Sequence, residues 1–232
     1  MEPDKEEILR QRQLTFIGKV LADFPHSLRN PLDTIRESRD GLAELLGQAG
    51  QGIEEDREKY AEILSRIEDQ IEILARKSKY LIRIAKRIGK TSSFFDPSDI
   101  VQEVVSLLAR PAHLRQVSIR HEETEALPRL HGDPDRIFFL VSILINDVLE
   151  KLGRGGKITV RAKSVEKTVL IEVEGSGAIE TAASSPVLGD RYGSIGQQVV
   201  ADLGARLEKE TTGDDMSRTS LFLPIQEEGN DQ

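Results

Sequence analysis

Hydrophobic residues recur in steps of three and four along the first part of the chain. Side chains at this spacing lie on one face of a helix and form the heptad seam of a helical bundle. The pattern predicts one long helix over residues 8–46. Its seam consists of Leu14, Ile17, Leu21, Phe24, Leu28, Leu32, Ile35, Leu42 and Leu45.

Three glycines within residues 47–52 interrupt this pattern, and a second stripe follows over residues 54–88. Its members are Tyr60, Leu64, Ile67, Ile71, Leu74, Ser78, Leu81, Ala85 and Ile88. Two helices joined by a short turn form an antiparallel hairpin, and a single hairpin cannot bury so wide a stripe. A symmetric pair of hairpins buries it, so the pattern predicts a homodimer built as a four-helix bundle.

The periodicity changes near Thr91, where helical and strand-like segments begin to mix. Helices are predicted at 98–110, 134–152 and 196–207, and strands at 117–121, 157–162, 168–173 and 220–224. Strands grouped with helices, without regular β-α-β repeats, are typical of an α+β sandwich with helices on one face of a sheet. The predicted domains are a helical hairpin over residues 1–92 and an α/β sandwich over residues 93–232.

Composition narrows the functional classes. The formal net charge of −8 argues against a general nucleic-acid binder, which would be basic. The chain contains no cysteine, which excludes disulfides and zinc–thiolate sites. No apolar run approaches the roughly 20 residues that a membrane-spanning helix needs, so we expect a cytoplasmic protein with no membrane span.

His26 is the first candidate for chemistry. It follows the seam residue Phe24 by two positions, which is about 200° around a helix, so its imidazole is expected to point away from the bundle core. An exposed neutral imidazole can attack a phosphoryl group near neutral pH. Pro31 should remove one backbone donor and bend the helix just beyond the histidine. On spacing alone, a solvated surface histidine without a role is the commoner case.

The segment around His26 resembles the H-box of histidine kinases. The matching residues are His26, Leu28, Arg29, Asn30, Pro31 and Leu32. This resemblance implies that His26 is a phospho-acceptor and that a response-regulator receiver domain is its partner. It also implies that Asn30 positions water for dephosphorylating the partner aspartate, while Arg29 could attract phosphate. Ser27 stands where the family usually has a carboxylate that orients the imidazole, and a hydroxyl is a poor base.

Residues 97–225 resemble the GHKL-type ATP-binding domain of the same family. The resemblance implies that Asn146 could ligate magnesium and that four glycines could line a nucleotide site. These are Gly175 and Gly177 in the first glycine box, and Gly193 and Gly196 in the second. Three departures indicate an eroded ATP site. Val173 replaces the aspartate that reads adenine, Ser142 replaces the first asparagine of the N-box, and residues 178–192 are short for an ATP lid.

Three functions remain open at this point. The first is a histidine phosphotransferase of a phosphorelay, or a kinase-like protein with a degenerate ATPase domain, in which His26 exchanges phosphate with receiver aspartates. The second is an active soluble histidine kinase that binds ATP and magnesium and phosphorylates itself. The third is a non-enzymatic dimeric scaffold in which the helices matter and His26 has no role.

Overall fold

The structure is a computed structural model that describes residues 5–22, 24–48, 57–87, 92–123, 126–178, 193–212 and 216–225. The described residues fall into two compact units. Leu21–Lys86 forms the first, called here the hairpin unit. Met1–Val20 and Arg87–Gln232 supply the second, called the sandwich unit. The domain boundary near residue 92 stays a prediction.

The residues of the first predicted helix are helical in the structure, as α1 (Lys5–Ala22) and α2 (Phe24–Gln48). Asp23 between them lies outside the described residues, so the single continuous helix expected over residues 8–46 stays a prediction.

The second predicted helix is α3 (Arg57–Arg87). The glycine-rich turn after Gln48 and the ends of this prediction at 54–56 and at Ile88 lie outside the described residues. The ammonium nitrogen of Lys77 lies 2.8 Å from the carbonyl oxygen of Ser27. This bond joins the beginning of α2 to the second half of α3, as an antiparallel hairpin requires.

The sandwich unit contains one mixed sheet of five strands in the order β2-β4-β5-β7-β6. These strands are β2 (Ser118–Glu123), β4 (Lys157–Val165), β5 (Thr168–Ser176), β6 (Arg206–Thr212) and β7 (Met216–Pro224). β2 runs parallel to β4, and the other neighbours are antiparallel. The hairpin expected between 157–162 and 168–173 is present, with longer strands and a turn at Glu166, whose φ is 53°.

Three helices accompany this sheet, α4 (Pro97–Leu114), α5 (Pro134–Lys151) and α6 (Gly193–Asp202). Both α4 and α5 begin with an aspartate cap followed by proline, Asp96 for α4 and Asp133 for α5. Each cap carboxylate accepts a hydrogen bond from a backbone N–H of the first turn, which satisfies a donor that has no helical partner. Large apolar side chains of α5 such as Phe138, Phe139 and Leu144 are almost fully buried and form the core.

The prediction missed three strands. The short strands β1 (Ser93–Phe95) and β3 (Leu130–Gly132) pair with each other, and neither is long enough to show alternation. β6 was missed because a helix was expected through Leu207, whereas α6 ends at Asp202. Gly204 has a φ of 60°, the left-handed conformation that commonly follows the end of a helix and that glycine adopts without strain.

Candidate functional site

His26 lies in the first turn of α2 and is exposed, whereas Phe24 is only 5% exposed. The two residues therefore face in different directions, as the helical spacing predicts. No partner holds the imidazole in the described contacts, and solvent can reach it. This geometry leaves a ring nitrogen open to an approaching phosphoryl group.

Ser27, the residue that replaces the usual carboxylate, is buried. Its hydroxyl donates a hydrogen bond of 2.8 Å to the carbonyl oxygen of Phe24. The hydroxyl proton is thus used in a hydrogen bond to the helix backbone. Its assignment as a catalytic residue stays a prediction, and this contact favours a role in holding the first turn of α2.

Arg29 and Asn30 are both exposed, within one helical turn of His26. The hydroxyl of Thr34 donates to the backbone carbonyl of Asn30 at 3.1 Å, so this contact leaves the Asn30 side-chain amide untouched. A cationic side chain and an amide therefore stand beside the imidazole on the surface of α2. Their expected roles with phosphate and water stay predictions.

Lys77 is a residue of this site that the sequence interpretation missed. Its bond to the Ser27 carbonyl is described above, and burial lowers the pKa of its ammonium group below the ordinary lysine value. In the sequence Lys77 lies four residues before Leu81 and next to the seam position Ser78, and this spacing does not identify its partner.

The position of the missing adenine-reading aspartate lies in the core of the sandwich unit. Val173 on β5 is completely buried and pairs with Val160 and Thr219 on the neighbouring strands. Its aliphatic side chain cannot accept a hydrogen bond from an adenine amino group. The residues at this point do not fit the recognition of adenine.

The two acidic residues beside Val173 belong to the opposite face of the sheet, as the strand alternation predicted. Glu172 pairs with Lys163 at 2.9 Å, and Glu174 pairs with Arg218 at 2.9 Å. The hydrogen bond from Arg218 is the main reason that the pKa of Glu174 lies below its ordinary value. These carboxylates stabilise the outer face of the sheet, and neither substitutes for the missing aspartate.

Gly175 and Gly177 allow close packing. A methyl group added at Gly175 would lie 2.4 Å from a methyl carbon of Val148 on α5. One added at Gly177 would lie 2.9 Å from the Cα atom of Gly156, and Gly177 has a φ of +129° that side chains rarely adopt. Strand β5 and helix α5 can approach this closely only because residue 175 has no side chain.

Asn146 is half-buried on α5, and its side-chain amide nitrogen donates to the carbonyl of Ser142 at 2.9 Å. This orientation leaves the amide oxygen as an acceptor, which is the donor atom a hard cation would use. Ser142 is fully buried and cannot contact a bound nucleotide from the protein surface. Asp147 is neutralised by Lys151 at 2.5 Å. Asn146 alone fits the expected magnesium role.

The remaining glycine positions lie at the start of α6, which begins at Gly193 and includes the buried Gly196. The segment expected to correspond to a lid, residues 178–192, lies outside the described residues except for Ala178. The proposed binding roles of Gly193 and Gly196 stay predictions.

A buried ion-pair group lies elsewhere in the sandwich unit and was also missed. Arg87 contacts the carboxylate of Glu103 at 2.5 Å and that of Asp135 at 3.4 Å, and the Glu103 side chain is completely buried. Burial raises the pKa of Asp135, and the positive charge of Arg87 opposes this rise. The spacing of residues 87, 103 and 135 does not indicate that they meet, because the contact depends on the tertiary fold.

Among the described residues, no cluster of histidine and acidic side chains could hold a metal ion. Within the same residues, no helix combines the length and the apolar character that crossing a bilayer would demand.

No family model matches the chain. Curated relatives do. The sensor histidine kinase ZraS of Salmonella typhi is 29% identical over 169 residues, which are 72% of this chain and 35% of that protein. ZraS of Klebsiella oxytoca is 23% identical over 98% of this chain and 50% of that protein. Sporulation kinase B of Bacillus subtilis is 25% identical over 82% and 43%. The chain thus spans about a third to a half of the length of these relatives.

The fold has a counterpart among solved structures. Full-length ShkA in complex with AMPPNP matches with a TM-score of 0.50 and 16% identity, over 88% of this chain and 45% of that one. A helical region followed by a mixed α/β sheet is the architecture of histidine kinase-type proteins. The sequence relatives are sensor histidine kinases at 23–29% identity, and the chain is similar to the two-component histidine kinase family.

Proposed function

We propose that this chain carries a phosphoryl group on His26 and exchanges it with the aspartates of response-regulator receiver domains in a phosphorelay. One observation supports this function above the others. His26 is exposed in the first turn of α2, while the neighbouring seam residue Phe24 is buried. A histidine that packed or capped the helix would not occupy this position, and the surrounding H-box gives the exposed imidazole a chemical role.

The transfer step is balanced within the pair of proteins. The lone pair of a neutral imidazole nitrogen of His26 attacks the phosphorus of the receiver's aspartyl phosphate. A nitrogen–phosphorus bond forms as the phosphorus–oxygen bond to the aspartyl group breaks, and its electron pair remains on the aspartate as a carboxylate. The imidazole releases its extra proton to water. In the reverse direction a receiver carboxylate attacks the same phosphorus and imidazole leaves.

The exposed side chains next to His26 have separate roles in this proposal. Arg29 attracts the dianionic phosphoryl group, since a guanidinium is charged at every physiological pH. Asn30, one turn along the same surface, orients water when the chain dephosphorylates a receiver. In this scheme the receiver holds the magnesium ion, because the donor is the receiver's own aspartyl phosphate. Asn146 has no role in the transfer.

The eroded nucleotide positions favour phosphotransfer over autophosphorylation. Val173 provides no acceptor for adenine, and the space beside Gly175 is filled by Val148. Ser27 is held by the backbone and supplies no carboxylate to assist attack on ATP. In this proposal the sandwich unit is an ATPase-like domain that has kept the fold and lost the nucleotide function.

An active kinase is the second candidate, and two observations favour it. The oxygen of Asn146 remains open to a cation, and the curated relatives are sensor kinases. In that case ATP and Mg²⁺ would be cofactors, with Gly193 and Gly196 at the phosphates. The chemistry at His26 would be the same, with the γ-phosphorus of ATP as the first target.

We also propose that the chain acts as a homodimer through the hairpin unit. Leu64, Ile71, Ser78 and Ala85 follow one another at intervals of seven residues on α3, and all four are exposed. Leu64 is 49% exposed and Ile71 is 53% exposed, and Leu32 on α2 is 53% exposed. A heptad line of apolar residues left open on one hairpin is suited to packing against the same line of a second copy.

Light scattering after size exclusion tests the dimer. Leu64→Glu combined with Ile71→Glu should convert the dimer to a monomer, because it places charges in the seam. Ser65→Glu, an exposed position one residue away, is the matched control and should remain dimeric. A monomeric wild-type chain, or a double variant that stays dimeric, would reject this interface.

The phosphoryl-transfer proposal is tested with two donors. The full chain is first incubated with γ-labelled ATP and magnesium, and then with purified receiver domains charged with labelled acetyl phosphate. We expect no label from ATP and clear transfer from a receiver, with His26→Ala unlabelled in both. Label from ATP that depends on His26 would establish the kinase instead. A folded chain that takes label from neither donor would support the scaffold interpretation.

A further inference from the structure

Resting on the proposed function, we propose that Lys77 is a positioning residue for His26. Pro31 has no backbone N–H, so it provides no donor for the carbonyl of Ser27, the residue directly after the histidine. The ammonium group of Lys77 supplies that donor. The bond holds the turn that presents the imidazole.

The loss at Pro31 follows from helix geometry. In an α-helix the N–H of each residue donates to the carbonyl four residues earlier, so the partner of the Ser27 carbonyl would be the N–H of residue 31. Pro31 lies inside α2 and has no N–H. Its ring also crowds the carbonyl of Ser27. The helix continues to Gln48, yet this one carbonyl has no donor from its own backbone.

Lys77 fills this gap from the other helix. Its ammonium nitrogen lies 2.8 Å from the Ser27 oxygen, which is the length of a charge-assisted hydrogen bond. Ser27 and Pro31 are both buried, so solvent has little access to this carbonyl. A buried carbonyl left without a donor is costly, and a lysine that is itself partly desolvated is well matched to it.

The connection to His26 is covalent and short. His26 and Ser27 share a peptide bond, and Ser27 is held at its hydroxyl and at its carbonyl. Its hydroxyl donates to Phe24, and its carbonyl accepts from Lys77. These two contacts tie the backbone next to the exposed imidazole to Phe24 and to α3. The imidazole can then meet a phosphoryl group from a defined place, which is the condition for efficient attack.

Phosphoramidate is the probe for the test, because it is a small donor that needs neither ATP nor a receiver. Its phosphorus–nitrogen bond breaks and ammonia leaves as the bond from His26 to phosphorus forms. The initial rate of phosphohistidine formation on the full chain is measured by ³¹P NMR. Lys77→Met should lower this rate about tenfold, below the ~100-fold cost of a 1 Å misplacement.

Two variants act as controls for Lys77→Met. Lys77→Arg keeps a cationic donor and should restore most of the rate. Lys79→Met removes an exposed lysine two residues away and should leave the rate unchanged. Equal losses in Lys77→Met and Lys79→Met would overturn the proposal, since they would reflect the charge of α3 alone.

Pro31→Ala gives the decisive comparison, because alanine returns the missing N–H to the Ser27 carbonyl. In the Pro31→Ala background, Lys77→Met should change the rate by less than about twofold, which is the signature of two residues acting on one group. An undiminished tenfold effect in this background would overturn the proposal, since Lys77 would then act by packing or by direct contact.

A second readout separates this inference from the proposed function. Hydrogen–deuterium exchange of peptides covering residues 24–31 should rise in Lys77→Met and return to the wild-type level in the Lys77→Met, Pro31→Ala double variant. Unchanged exchange in Lys77→Met would overturn the inference even if His26 is phosphorylated. A chain that shows the exchange pattern while His26 accepts phosphate from no donor would overturn the proposed function alone.

Discussion

The beginning of α2 and the end of β5 both resemble motifs of histidine kinases, and the two segments differ in how their motif residues are buried. At α2 the motif residues His26, Arg29 and Asn30 are exposed, and the buried Ser27 between them is hydrogen-bonded to the backbone of Phe24. At β5 the corresponding position Val173 is itself buried, and Gly175 is in contact with α5. Residues that resemble family motifs are therefore accessible to a partner in one region and are part of the packed core in the other.

The same difference separates residues whose identity relates to binding from residues whose identity relates to packing. Exposed polar residues around His26 contribute little to the core, so their identity is best explained by what they bind. Glycines at β5 are explained by the distances around them, and no ligand is needed to account for them. Substitutions in the two regions should therefore affect different measurements.

The largest effect is expected for His26→Gln, which removes the nucleophile without changing the core. Phosphorylation should fall to the background level of the assay. The free energy of unfolding should change by less than about 0.5 kcal/mol, because the side chain is exposed. Urea denaturation and the phosphoramidate assay on the same sample check both parts. A large loss of stability would show that His26 is a packing residue, and the two regions would then not differ in this respect.

The reverse pattern is expected for Val173→Asp, which restores the family's adenine-reading residue. An uncompensated carboxylate in this fully buried place should cost about 3–5 kcal/mol of unfolding free energy. Val173→Thr replaces one methyl group with a hydroxyl and should cost about 1–3 kcal/mol. Denaturant melts of both variants provide the measurement. If Val173→Asp is as stable as the wild type and gains ATP binding, the nucleotide site is intact.

A smaller effect is expected for Gly175→Ala, which directs a methyl group into Val148. The overpacking should cost about 1–3 kcal/mol. Val148→Ala makes room for it, so the double variant should be more stable than the sum of the two single losses predicts. His26 phosphorylation by phosphoramidate should not change. Simple additivity in the unfolding measurements would mean that residues 148 and 175 are not in contact.

The smallest effect is a pair of opposite pH dependences in the sandwich unit. The pKa of Glu174 is lowered in the folded chain, mainly by Arg218, so its stabilisation is present above the unfolded pKa and is lost as pH falls through the folded value. The pKa of Asp135 is raised by burial, so its contribution to stability declines as pH rises from the unfolded value through the folded one.

Thermal melts of two variants between acidic and neutral pH test these signs. Glu174→Gln should lessen the loss of stability on acidification relative to the wild type. Asp135→Asn should instead make stability rise more steeply as pH increases in that range. Identical pH profiles for the wild type and both variants would show that neither carboxylate has a shifted pKa.

Much of the fold followed from sequence periodicity, since α3, α5 and the β4–β5 pair lie where regular spacing predicted them. β6 was lost because its alternation of exposed and half-buried residues, starting at Arg206, begins only two residues after Gly204. Short strands such as β1 have no periodicity to detect and depend on their partners.

The candidate site also has features that the sequence predicts and features that it does not. The exposure of His26 followed from its angle to Phe24, because helix geometry alone sets that angle. The contact between Lys77 and Ser27 could not be predicted, because it joins residues 50 positions apart. Whether Gly175 binds or packs also depends on the position of Val148, which only the tertiary structure supplies.

Strand β6 has one further consequence for the behaviour of the chain in concentrated solution. It lies at the end of the sheet order with β7 beside it, so its outer edge offers backbone groups to which a strand of another molecule could pair. Three exposed charged side chains, Arg206, Glu208 and Glu210, occur along this strand. An incoming strand would have to bury or displace these charges, which protects the sheet against edge-to-edge aggregation.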